Sequence, residues 1–142
     1  MKAAQGFLVV RAGASRYGLA LSDVREVVDV APPRMVPARL AAMRGVMPLH
    51  QRHVSLVHLA SLISDGNPPY DIGDTAVVVE VGGAPLALEV EAVEAVVDRA
   101  TDFVGAAPVA WASGVWRVGA ELVTVLDLGV LTERLMNVQE QT

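Results

Sequence analysis

The 142-residue chain has no cysteine. Disulfides and thiolate chemistry are excluded, and a reducing compartment fits. Aromatic residues make up only 4%, so any core must be packed from aliphatic side chains. There is no basic run, and the formal net charge is −5. Nothing in the chain is suited to neutralising phosphates, which argues against a nucleic-acid binder. Long apolar runs are missing too. The longest uncharged stretch, Phe103 to Trp116, contains Pro108 and is too short to cross a bilayer. Met1-Lys2 leads straight into a strand-like segment without a signal peptide, and the expectation is a cytoplasmic protein.

What is present is a 53% hydrophobic fraction carried by Val, Leu and Ala. That composition excludes disorder and suits a dry, β-rich core. A chain of this length is one domain, able to bury about 68–70% of its unfolded surface.

The chain also repeats itself. Phe7-Leu8-Val9-Val10 falls on Ala76-Val77-Val78-Val79, and Leu19-Ala20-Leu21 on Leu86-Ala87-Leu88. Val24, Val27 and Val28 fall on Val93, Val96 and Val97, Gly45 on Gly114, and Leu56–Leu59 on Val125–Leu128. The offset is 69 residues, with a two-residue slip at the first turn. An ordered match of this kind reads as a tandem duplication. Each copy predicts two strands around a Gly-containing turn, a short turn, a third strand, a Pro- and Ala-containing connection, a last hairpin and a closing helix. Ser22-Asp23 suits a helix cap. The closing helices are predicted at Leu59–Ser64 and Leu128–Asn137. In the second, Leu128, Leu131, Leu135 and Met136 form the apolar side and Thr132, Glu133 and Arg134 the wet side.

These elements predict a mainly β fold: two five-stranded SH3-like barrels, lobe 1 at about 5–64, a linker at 65–73 and lobe 2 at about 74–137. A single β-sandwich has the same strand count. The complete repeat, with a helix ending each copy, favours the barrels.

All three histidines lie in "RGVMPLHQRHVSLVHL", Arg44 to Leu59. His50, His53 and His58 invite a metal or small-ligand sensor reading, since imidazole is a good transition-metal ligand. However, His53 and His58 are five apart on a strand and point to opposite faces. Solvated surface histidines without metal are the simpler expectation. Glu89, Glu91 and Glu94 read as a solvated strand face rather than as paired catalytic carboxylates. No nucleophile elbow or phosphate loop is present. The expectation is no enzyme, no metal and no cofactor. Trp111 and Trp116 are candidates for interface anchors or for the barrel interior.

Three stretches then carry a resemblance over nearly the whole chain: "YGLALSDVREVV", "VPARLAAMRGVMPL" and "VTVLDLGVL". Together they resemble the CheW-like coupling domain of bacterial chemotaxis. The resemblance implies a pair of five-stranded barrels without an active site. It implies an adaptor between chemoreceptor tips and the regulatory domain of a histidine kinase, recruited to membrane-bound receptor arrays. An assembly scaffold that no longer touches a kinase would keep the same skeleton. The receptor groove implied is apolar, at Val24, Val27, Val93 and Val96 near the junction of the lobes. The kinase-facing hairpin implied comprises Glu26, Arg44, Gly45, Pro48, His50 and Gln51.

That hairpin departs from the family's "N-L-R-G" and "P-x-x-D-L". Pro48 stands for Asn, His50 for Arg, Gln51 for Gly, Ser55 for Pro and His58 for Asp. The family's Arg pairs with the Glu of "V-x-E", so His50 is expected opposite Glu26. Arg offers a planar fork that is always charged, whereas His offers one N–H in that direction and titrates near pH 6.5. Without Gly at 51 the turn is expected to be longer or kinked. Pro48 is expected at an edge or bulge, disturbing the ladder.

Overall fold

A computed structural model describes residues 3–37 and 40–140, the last five as backbone only. Eleven strands and two helices follow one another. The first half holds β1 (Gln5–Ala12), β2 (Ser15–Ala20), β3 (Val24–Asp29), β4 (Met43–Leu49), β5 (Arg52–His58) and α1 (Leu59–Ser64). The second half holds β6 (Thr75–Val81), β7 (Ala84–Val90), β8 (Ala92–Ala100), β9 (Asp102–Gly105), β10 (Ala112–Val118), β11 (Glu121–Leu126) and α2 (Leu128–Glu140). The extra strand, β9, has a counterpart in the first half. There the chain makes a single bridge, Arg34 to Val46, beside β4.

The two sheets do not coincide with the two halves of the sequence. One sheet runs β8-β1-β2-β11-β10-β9 and the other β3-β6-β7-β5-β4. Each half therefore gives its first two strands to one sheet and the rest to the other. The division at 5–64 and 74–137 is corrected accordingly: each lobe is built from both copies. The connections explain it. Only Glu91 separates β7 from β8, and the commonest tight hairpins use two-residue loops. β8 thus passes to the other sheet and pairs with β1. In the first copy three residues, Leu21–Asp23, separate β2 from β3, and β3 likewise crosses to the other sheet and pairs with β6. Ser22-Asp23 caps no helix. It lies in a tight turn in which the Asp23 and Val24 amides donate to the carbonyls of Ala20 and Leu21.

The exchange accounts for the uninterrupted apolar runs. Phe7 and Val9 of β1 face a core with Trp116, Val123 and Val125 inside one sheet. Ala76 and Val78 of β6 face Met47, Val54, Leu56 and Ala87 inside the other. The alternate residues, Leu8, Val10, Val77 and Val79, meet between the sheets in a third core with Leu59, Leu62, Leu128 and Leu131. A strand covered on both faces reads as continuous apolar sequence rather than as an alternation.

The helices begin on matched caps. His58 Nδ1 accepts from the Ser61 amide at α1, and Asp127 Oδ1 accepts from the Val130 amide at α2. His58 is buried, contrary to the expectation of a solvated side chain. Its acceptor role at Nδ1 places the proton on Nε2, which faces Glu91 Oε1 at 3.2 Å. Arg134, expected on the wet side of α2, donates to the carbonyls of Leu62 and Ile63 at the end of α1, where helical carbonyls lack partners. The side chain of Met136 lies outside the described residues.

Candidate partner-binding surfaces

The hairpin β4–β5 is a regular two-residue turn. Leu49 pairs with Arg52, and Pro48 with His53. His50 and Gln51 take φ of 47° and 65°, the left-handed pair that such turns require. The expected lengthening or kink does not occur. Two non-glycine residues hold a conformation that costs each roughly 1–2 kcal/mol. The cost is offset by the flanking ladder and by a side-chain contact. His50 Nε2 lies 2.8 and 3.0 Å from the two carboxylate oxygens of Glu26 on β3.

Pro48 lies on an edge strand and disturbs no ladder. The Val46 amide and carbonyl both bond Arg34, on the side away from β5. Hydrogen-bonding sides alternate along a strand, so position 48 also turns its nitrogen outward, where proline loses nothing.

Arg44 does not belong to this surface. It is buried, with Nε 2.8 Å from Glu89 Oε1 and Nη2 3.2 Å from Oε2. The same guanidinium donates to the carbonyls of Pro69 and Asp71, while Glu89 accepts from the Gly73 amide. Glu89 is thus not on a solvated face. The two residues form a buried, bidentate pair that pins the linker to β4 and β7. Gly45 is structural as well: at φ 142° a Cβ would overlap the Arg34 carbonyl.

The four valines divide by exposure. Val24 and Val93 are partly buried against the core between the sheets. Val27 and Val96, at matching positions of the two copies, are 47% and 59% exposed. They stand on β3 and β8, each an outermost strand of its sheet. Trp116 is not an interface anchor. It is buried inside its sheet, edge-on to Phe103 with centroids 5.2 Å apart. Trp111 is partly buried and meets Tyr17 edge-on at 6.0 Å.

The histidines do not converge. His50 reaches Glu26, His53 is exposed on β5, and His58 is buried at α1. Among the described residues no group of three His, Asp or Glu side chains is placed to hold a metal ion. No helix there is long and apolar enough to cross a membrane. Elsewhere Arg11 and Arg16 share Glu94, and Arg16 also meets Glu121. Glu121 first, then Glu94, holds the Arg16 guanidinium above its ordinary pKa.

The sequence profile of the CheW-like domain matches residues 6–136. The chain belongs to the CheW-like domain family. Among solved structures, the scaffolding protein TtCheW from Thermoanaerobacter tengcongensis superposes with a TM-score of 0.80 at 21% identity. The match covers 92% of this chain and 93% of that one. No curated protein sequence matches the chain. The CheW-like fold explains why apolar positions recur through both halves: they line the two sheet interiors and the seam between them. Sequence reasoning placed the β4–β5 hairpin and expected His50 opposite Glu26. It missed the Arg44–Glu89 pair and the buried cap His58. The second was readable, because His58 falls on Asp127 in the repeat, at the residue preceding each helix.

Proposed function

We propose that the chain is a non-enzymatic adaptor of a chemotaxis-like signalling system. It links or modulates chemoreceptors and a histidine kinase, with a kinase-facing surface altered at Pro48, His50 and Gln51. The observation that carries this reading is the exposed His50–Glu26 contact on an intact hairpin turn. A partner meets the shape of the family hairpin with different chemistry: an imidazole in place of a permanently charged fork. Val27 and Val96, the exposed members of the valine set, are the proposed receptor contacts, suited to an apolar helix face.

The reading of a metal or ligand sensor loses its support, because the three histidines face three different environments. The scaffold that ignores a kinase uses the same surfaces and differs only in outcome. A binding titration against a chemotaxis kinase regulatory domain separates them. The triple variant Pro48→Asn, His50→Arg, Gln51→Gly is expected to bind about 30-fold more tightly than wild type, the worth of one interface hot spot. Micromolar binding by wild type with no gain in the variant would overturn the altered surface. No binding by either would favour the kinase-free scaffold.

A further inference from the structure

Two grooves flank the short segment 34–36 beside β4. One, about 660 Å³, is lined by Met35, Met43, Pro68, Tyr70, Asp71 and Ile72 among others. Its apolar side chains are open to solvent: Tyr70 is 98% exposed, Met35 81% and Ile72 38%. Exposed large apolar side chains grouped in this way mark an interaction surface. The other groove, about 450 Å³, is walled by Pro32, Val36, Val46 and Pro48 and rimmed by Arg34 and His53.

The two differ in charge. Asp71 forms no ion pair among the described residues, and neither does Arg34. Both walls are held in place. Arg44 grips the Pro69 and Asp71 carbonyls from below. Arg34 is bonded through both its amide and its carbonyl to Val46, at 2.7 and 2.9 Å. An ordered surface loses little freedom on binding.

One side thus carries an aromatic knob and a free carboxylate. The neighbouring side carries a proline-walled hole and a free guanidinium. We propose that the two grooves form one self-complementary surface, through which two copies of the chain associate about a two-fold axis near Met35. Tyr70 enters the groove between Pro32 and Pro48 of the partner subunit, and Arg34 meets Asp71 of the partner subunit. Each contact is made twice, as a two-fold interface requires. An inverted second copy supplies both the charge and the shape that each groove lacks.

Sedimentation velocity of the full chain across the micromolar range tests this. A reversible monomer–dimer equilibrium is expected. Tyr70→Ala, and separately Arg34→Glu, should weaken it at least about tenfold. Arg34→Glu combined with Asp71→Arg in one chain should restore it, since the charges are then exchanged on both sides. Circular dichroism verifies that each variant is folded; Asp71→Arg keeps the backbone carbonyl that Arg44 holds. A wild type that stays monomeric, a Tyr70→Ala variant that dimerises unchanged, an unrestored double variant or open-ended oligomers would each overturn the proposal.

Discussion

His50 Nε2 lies 2.8 Å from Glu26 Oε1, and this contact joins the β4–β5 turn to the strand at the far end of the same sheet. In the order β3-β6-β7-β5-β4, Glu26 belongs to the first strand and His50 follows the last. The sheet has curled until its ends meet, enclosing Met47, Val54, Leu56, Ala76, Val78 and Ala87. With His50 70% exposed, the contact contributes about 0–1 kcal/mol. Its weight lies in the shape and charge it gives the surface.

The turn itself is under backbone strain. Gln51 holds φ 65°, and glycine takes that conformation without a Cβ clash. Gln51→Gly should stabilise the fold by about 0.5–1 kcal/mol, the relief of strain less the entropy of glycine. Urea unfolding monitored by tryptophan fluorescence measures it. An unchanged or lower midpoint would mean that the turn is not strained.

Arg44 should be among the most sensitive positions. Arg44→Ala leaves Glu89 buried and uncompensated and frees two linker carbonyls. The expected loss is about 3–5 kcal/mol. Arg44→Met with Glu89→Leu should recover part of it, because no unpaired charge is then buried. Chemical denaturation of the single and double variants gives the comparison.

Gly45 faces the Arg34 carbonyl where any side chain would go. Gly45→Ala should cost about 2–4 kcal/mol and detach the 34–36 segment from β4. Loss of hydrogen-exchange protection at the Arg34 and Val46 amides would report the detachment.

At the start of α1, His58→Ala should cost about 1–2 kcal/mol by removing the cap on Ser61. His58→Asn should retain most of that cap while losing the Glu91 contact. Thermal melts of the two variants at one pH check the order, and equal losses would argue against a capping role.

The strand exchange predicts the behaviour of the separated halves. A chain of residues 1–66 lacks β8 and β6, which pair with β1 and β3, and residues 67–142 lack β1 and β3 in turn. Neither half alone should give the dispersed amide spectrum of the whole, whereas mixing the two should restore it. A half that folds alone as a monomer would contradict the exchange.

Much of this was legible in the residue pattern. The repeat and the helix at Leu59–Ser64 follow from local spacing, and the His50–Glu26 pairing follows from the family resemblance. Arg44 was misplaced, because the cost of burying a guanidinium depends on a carboxylate 45 residues away. The turn at 50–51 was misread for a related reason. Residue type disfavours positive φ there, but the register of the two flanking strands imposes it.

Sequence alone determined that the chain is a β-rich duplication, since side-chain periodicity records which residues must leave water. It also determined that the polar turn positions differ from the family pattern. The tertiary structure decided which strands share a sheet, which charges are buried and which apolar side chains stay exposed. Strand pairing uses backbone groups common to every residue, so local pattern cannot name the partner. A single residue between β7 and β8 was enough to send the chain across to the other sheet. Whether Glu89, His58 or Tyr70 faces solvent then follows from that crossing, because burial is set by what packs on top.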